Sequence, residues 1–420
     1  MYNVFNAIVA KTKVSLHDFW FKCAHRKKVS YFTRSTCRLT FPMTMGMILN
    51  LPKAAMQVEI HKFFHQISTP SKEVTAAAFL KARKKIAISA FFDIITDSLC
   101  EIYTRPFKTV SGCRVVAVDG SVFEVPQAAK KDYGTLTTSS VAVAKAQACA
   151  LYDVENHIIL EGMIAPYEAN EREEAAELIQ QLEIKSQAMG IKNLYVLDRG
   201  FPSKKLLRVL GHYPFVFRVG QNFMAAISKA NLPDQIVTLE DDQKQKHQVR
   251  VVTLTLESGN TEKLFSNILD PSVTIEDFKE IYHKRWGIEG RYNVLKNLLD
   301  IDNFSGTEKE IIEQDFYATI FIANLIAVAQ NYADEEVKEK NQDKNLKWEY
   351  KTNTNTTIGI LRPMLIEAFM ADPKKQVRLF RKVLRLIQES VVPIRPNRTS
   401  TSRTKKYASV KHPMNRKGNR

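Results

Sequence analysis

Residues 278–299 read FKEIYHKRWGIEGRYNVLKNLL, and their polar residues recur at spacings that an α-helix turns into one face. At about 100° per residue, Arg285, Glu289 and Lys296 fall with Tyr282 within an arc of roughly 60°. The stretch holds no proline, so a single helix is expected. One face then carries a phenol, a guanidinium, a carboxylate and an amine. Beside it, Ile281, Ile288, Leu295 and Leu299 form an apolar stripe suited to burial against a sheet. The helix is predicted to have a core side and a working side.

The composition around it is that of a globular protein. The chain has 420 residues, 45% apolar and 25% charged, enough for two or three domains and a sizeable core. A net charge of +16 favours a polyanionic partner, nucleic acid before an anionic membrane surface. No uninterrupted apolar run reaches the roughly 18 residues of a spanning helix, and the first residues, MYNVFNAIVAKTK, lack the pattern of a signal peptide. A cytoplasmic, nucleoid-associated protein without membrane contact is expected. The five cysteines are scattered and odd in number, which fits buried thiols better than zinc ligands or disulfides.

Upstream, residues 1–40 mix Lys11, Lys13, Lys22, Arg26, Lys27, Lys28, Arg34 and Arg38 with Phe19, Trp20, Phe21, Tyr31 and Phe32, and contain Asp18 as their one acid. Cations displace counterions from DNA and aromatics pack on sugars or bases. Residues 44–67 and 71–103 have helical periodicity, and Thr69-Pro70-Ser71 supplies a turn with Ser71 as N-cap. A helix-turn-helix is the expectation, with Lys72, Thr75, Lys81, Arg83, Lys84 and Lys85 facing DNA.

After Pro106 the period changes. CRVVAVDGSVFEVP, residues 113–126, reads as a buried strand with a turn at Asp119-Gly120. Paired strands at 139–152 and 157–163, a helix at 168–189, the short strand NLYVLDRG at 193–200, a helix at 203–210 and a strand at 215–219 follow. That order describes a ribonuclease H-like α/β core. Residues 221–262 are polar and loop-rich, with one convincing strand at 249–256. Past the focal helix come an apolar helix at 310–332, a polar segment at 333–357 read as a solvent-facing linker, helices at 357–370 (N-cap Thr357) and 373–391, and a tail with many cations and no acid. Such a tail cannot fold alone and would order on a polyanion. The domain reading is a helical DNA-binding region at 1–105, a catalytic core at 106–220 and 263–331, a β-rich insertion at 221–262, and a helical C-terminal region with a basic tail at 332–420.

Asp119 and Asp198 each close a predicted strand, where the rim of an α/β sheet gathers functional groups. Glu289 lies on the polar face of a helix predicted to pack there. Three hard oxygen donors from separate elements suit two magnesium ions, one activating a water or 3′-hydroxyl and the other stabilising the leaving oxygen. Each residue alone has a plainer reading, as a turn aspartate or an i,i+4 surface ion pair.

In every spacing, Tyr282-x2-Arg285-x3-Glu289-x6-Lys296 resembles the tyrosine-arginine-glutamate-lysine (YREK) signature of bacterial insertion-sequence transposases of the DDE class. Asp119-Gly120-Ser121 and Asp198-Arg199-Gly200-Phe201 look like that group's first and second aspartate motifs, and residues 74–86, VTAAAFLKARKKI, are similar to its N-terminal domains. The resemblance implies Asp119, Asp198 and Glu289 as catalytic, metal-binding residues, with magnesium as cofactor and manganese as a substitute. It implies Tyr282, Arg285 and Lys296 on phosphates of the element's end, and a homodimer that pairs two ends with target double-stranded DNA. Some members stack an insertion-domain tryptophan on a flipped base; residues 221–270 contain none. Two other readings stay open: a ribonuclease H-like structure-selective nuclease, which needs the acids but not the phosphate-binding face, and a DNA-binding repressor or relic without catalysis.

Overall fold

The computed structural model describes residues 2–34, 36–50, 53–67, 74–137, 142–220, 223–255, 261–370 and 373–395. The chain forms two compact units, and it leaves and re-enters each. The first comprises the described residues of Met1–Ile102, Glu124–Lys145 and Leu295–Arg420; the second comprises Tyr103–Phe123 and Ala146–Val294.

The N-terminal part of the first unit is six helices: α1 (Tyr2–His17), α2 (Phe19–His25), α3 (Phe41–Leu49), α4 (Met56–Gln66), α5 (Ala76–Arg83) and α6 (Ser89–Tyr103). Several begin on side-chain caps. Asp18 accepts from the Phe21 amide, Thr40 from that of Met43 and Thr75 from that of Ala78, each satisfying a first-turn N–H that has no helical partner. Residues 44–67, expected as one helix, are divided between α3 and α4, and α5 and α6 divide the second stretch. The predicted turn at 69–71, with its cap Ser71, lies outside the described residues, as does Lys72.

The second unit is built on a mixed sheet. Its strands are β1 (Arg114–Glu124), β2 (Thr135–Thr137), β3 (Ala142–Asp153), β4 (Ile158–Pro166), β5 (Asn193–Leu197), β6 (Phe215–Val219), β7 (Asp234–Glu240), β8 (Lys246–Thr255) and β9 (Thr261–Ser266). β2 and the first residues of β3 belong to the first unit. The order from one edge is β4-β3-β1-β5-β6-β9-β8-β7, with β2 also pairing with β3. β4 runs antiparallel to β3. β3 runs antiparallel to β1, since Val154 N–H donates to the Val115 carbonyl at one end and Val125 N–H to that of Ala144 at the other. β1, β5 and β6 are parallel, whereas β9, β8 and β7 are antiparallel additions. The parallel centre is apolar without alternation. Val115–Val118 and Leu194–Leu197 are buried, as strands covered on both faces require.

α7 (Lys130–Tyr133) lies in the first unit; with the sheet of the second go α8 (Glu171–Ala188), α9 (Lys204–Leu210), α10 (Ala225–Ser228), α11 (Ile275–His283) and α12 (Trp286–Asn293). Asn170 and Ser203 cap α8 and α9. Thr274 and Asp277 form the reciprocal capping box that opens α11. α8 packs on β4, and α11 on β6 and β8.

Two sequence expectations change here. β1 does not turn at Asp119-Gly120 but continues to Glu124. The region read as holding one strand at 249–256 also contains β7. The extension of β1 pairs with β3 further along the chain and has no local signal, whereas β7 forms a hairpin with the next strand, β8.

The C-terminal part of the first unit contains α13 (Lys309–Asn341), β10 (Glu349–Thr352), α14 (Thr354–Met370), α15 (Pro373–Glu389) and β11 (Val391–Ile394), with β10 and β11 antiparallel. α13 is long and apolar enough to cross a membrane by composition, yet its apolar stretch is largely buried in the protein. The polar segment at 333–357 is not a linker. α13 extends through it with Ala333 and Val337 buried, and β10 follows. Thr357 is not the N-cap of α14; it is buried in the helix, and Asn353 accepts the Asn355 and Thr356 amides instead. The basic tail at 396–420 lies outside the described residues.

Candidate active site

The pairing of β1 with β5 brings two carboxylates together. The last residues in register are Val118 and Leu197, so Asp119 and Asp198 follow side by side on adjacent parallel strands. Asp198 leaves the strand, its carbonyl accepting the Phe201 amide at 3.1 Å. Asp119 stays extended within β1, and its carbonyl accepts a 2.8 Å hydrogen bond from the Tyr292 hydroxyl of α12. That bond ties the helix bearing Glu289 to the strand bearing Asp119.

The focal segment is not one regular helix. α11 ends at His283 and α12 begins at Trp286; across this junction the amides of Arg285, Gly287 and Ile288 bond three residues back, a tight 3₁₀-type spacing. One π-helical turn, Val294–Leu298, follows α12. These changes of pitch alter the phase on which a single four-residue face rests. Tyr282, Arg285 and Glu289 are brought together in the second unit. Lys296 lies on the π-turn in the first unit, half-buried, where burial lowers its pKa and its charged surroundings are Asp302, Lys145 and Glu124.

Arg285 is the centre of the cluster. Its side chain is 2% exposed; Nη2 donates to Glu289 Oε1 at 3.0 Å and lies 3.9 Å from Asp198 Oδ2, while Nη1 lies 3.9 Å from Asp119 Oδ2. The guanidinium also sits over the half-exposed Trp286 ring, 4.9 Å from its centroid. The Tyr282 hydroxyl donates to Asp198 Oδ1 at 2.9 Å. No sequence signal marks Arg218 on β6, which reaches Asp198 Oδ1 at 3.6 Å and Glu262 at 2.5 Å, or Glu171 at the start of α8, which abuts Gly120. A Cβ on Gly120 would lie 1.7 Å from Glu171 Oε1. A side chain there would push the Glu171 carboxylate aside.

The two aspartates titrate in opposite directions. Burial pushes Asp119 up to about 6; Arg285 and the Gly120 amide oppose it, and Glu171 and Glu289 add to it. Burial also raises Asp198, but the Arg199 amide, Arg285, Tyr282 and Arg218 together outweigh it and leave its pKa below the usual value. Neighbouring carboxylates whose surroundings push their pKa values apart are a feature that functional clefts share with structural ion-pair networks.

The three acids are hard oxygen donors, the chemistry magnesium takes, and the burial cost on Asp119 is what a bound dication would relieve. As placed, their oxygens turn toward the Arg285 guanidinium. Among the described residues, no three His, Cys, Asp or Glu side chains close on one metal position. Holding ions would require these side chains to turn from Arg285 toward a shared point.

The expected N-terminal DNA contacts divide. Lys81 is exposed. Lys84 pairs with Glu308. Arg83 corrects the expectation: it is fully buried and donates to Gln314 at 2.9 Å, Ser305 at 2.5 Å and Asp315 at 2.8 Å. A guanidinium saturated in the core is not available to a phosphate. Thr75 serves as the cap of α5.

The sequence profile of the family described as Transposase DDE domain matches residues 111–325, which contain all three acids. No curated protein matches the chain. Among solved structures, a piggyBac transposase synaptic complex with hairpin DNA, determined by cryo-electron microscopy, is similar at 12% identity and a TM-score of 0.44, with 96% of this chain and 87% of that one covered.

Proposed function

The chain belongs to the transposase DDE domain family, and from that premise we propose that it cuts DNA at the ends of a bacterial insertion sequence and joins the freed 3′-hydroxyls to target DNA. The observation that carries the reading is the register of β1 and β5, which sets Asp119 beside Asp198, with Glu289 drawn to both through Arg285. The strand order β4-β3-β1-β5-β6 supports a ribonuclease H-like core, with β7–β9 as its insertion. The YREK reading assigns Tyr282, Arg285 and Lys296 to the phosphates of the element's end. The basic N-terminal region and tail extend that contact, and two copies would pair two ends in the nucleoid of the cytoplasm.

Asp119, Asp198 and Glu289 would hold the magnesium ions, which supply Lewis-acid activation of the attacking oxygen and stabilisation of the leaving one. The chain's own residues do the rest. Tyr282 and Arg218 fix the orientation of Asp198. Tyr292 holds the strand of Asp119 against the helix of Glu289. As placed, Arg285 holds the acids together, and once they turn to the ions its freed guanidinium would serve a phosphate oxygen.

Purified protein incubated with magnesium and labelled DNA from the flanks of its own gene should yield nicks at the element's ends and strand-joined products. Cleavage without joining would favour a nuclease. Glu289→Ala should bind end DNA as the parent does and cut at least a hundredfold more slowly. Undiminished cutting by that variant would remove Glu289 from the site.

A further inference from the structure

A one-sided charged surface lies far along the sequence from the acids, on α15. Its sequence, PKKQVRLFRKVLRLIQE, places Lys374, Lys375, Arg378, Arg381, Lys382 and Arg385 within an arc of roughly 120°. Arg378, Arg381, Lys382 and Arg385 are exposed and line one open hollow with Leu386 and Glu389. Glu389, at the helix end, is the acid on that side. The opposite face is already used. Phe380, Val383, Leu384 and Ile387 are buried, α13 and α14 pack against the helix, and the Phe380 ring stacks on Phe5 at 4.0 Å.

Among the described residues, no carboxylate lies within ion-pair distance of Arg378, Lys382 or Arg385, whereas Lys375 is held by Glu367 at 3.0 Å. A helix that lies on a membrane needs its apolar face for the lipid, and here the core has taken it. What remains is a row of cations extending about 16 Å from Lys374 to Arg385, the length of about five phosphate steps along one DNA strand. Resting on the reading of the protein as acting on DNA, we propose that the outer face of α15 binds the phosphate backbone of double-stranded DNA and contributes affinity without base specificity. No base-reading geometry is needed for this, since long flexible cations around a phosphate line position a duplex and leave sequence to other contacts.

The test uses the full chain carrying Arg378→Gln, Lys382→Gln and Arg385→Gln together, with binding to labelled duplexes followed by fluorescence anisotropy over a salt series. One duplex contains the element's end and the other a scrambled sequence. The slope of log affinity against log salt should become shallower by about two to three units, and affinity at low salt should fall about tenfold or more on both duplexes alike, with the melting temperature unchanged. If the triple variant melts lower, each single substitution, expected to remove about one unit of slope, carries the test. A slope equal to the parent's overturns the proposal while leaving the function intact. Loss confined to the end duplex also overturns it, and so does an unchanged DNA slope with reduced binding to vesicles of anionic lipid. Failure of the parent chain to bind any duplex would overturn the functional reading as well.

Discussion

Asp119 and Asp198 each follow the last register pair of β1 and β5 yet differ in the free energy of their charge. Asp198 has the Arg199 amide, Arg285, Tyr282 and Arg218 to hold it ionised. Asp119 has Arg285 at 3.9 Å and an adjoining acid in Glu171, so burial dominates and its pKa reaches about 6. For an acid raised above its unfolded value of 3.8, the unfolded chain releases its proton first. Stability therefore falls as pH rises from about 4 to about 6 and stays lower above that window. The ionised form costs on the order of 3 kcal/mol. Asp119→Asn removes that cost. In the presence of a chelator, the variant should melt several degrees above the parent at pH 8, with the difference shrinking toward zero near pH 4; melting curves at both values check it. A variant no more stable at pH 8 would mean that Arg285 compensates the charge. Such a gain, obtained by removing a proposed metal ligand, is the stability cost expected of a functional acid.

At the scale of elements, local signals were legible and pitch was not. Thr274 was readable as the cap of α11 because its side chain acts within one turn, and the capping box is present. The spacing of Tyr282, Arg285 and Glu289 survived the irregularity at residues 284–288 because those three span only two turns. Lys296, two turns further, lies within the π-turn and belongs to the first unit. Nothing local distinguishes a π-turn from a regular one in NVLKNLL. β1 was misread at Asp119-Gly120 for a related reason. An Asp-Gly pair signals a turn when its glycine uses a left-handed conformation, but Gly120 is there to let Glu171 of α8 approach. Gly120→Ala should therefore destabilise the protein only modestly, by up to about 1 kcal/mol, because the atoms it meets are the end of the flexible Glu171 side chain, which can swing aside. Glu171→Ala should recover most of that loss in the double variant. A denaturant-unfolding cycle over the four proteins measures the coupling, and additive losses would show that the clash is relieved elsewhere.

For the molecule as a whole, composition spoke clearly about charge and poorly about architecture. The interleaving of the two units, with residues 124–145 in one and the strands on either side largely in the other, arises from pairings between distant strands that no window of sequence contains. Arg83 is the same lesson in one residue. The run KARKK reads as a cationic face, yet Asp315, Gln314 and Ser305, more than 200 residues away, draw its arginine into the core. The net charge of +16 needs no such geometry to act, because counterion release depends on how many cations reach the phosphates. Residues 396–420 carry eight lysines and arginines and no acid, half of that net charge. Truncation after Arg395 should therefore weaken binding to end and scrambled duplexes alike and make the salt slope shallower by several units. Once duplex is saturating, the cleavage rate should be unchanged, since Asp119, Asp198 and Glu289 belong to other elements. Anisotropy over a salt series and single-turnover cleavage separate the two effects. An unaltered slope would assign the tail to solubility, and slower cleavage at saturation would place it in the chemistry.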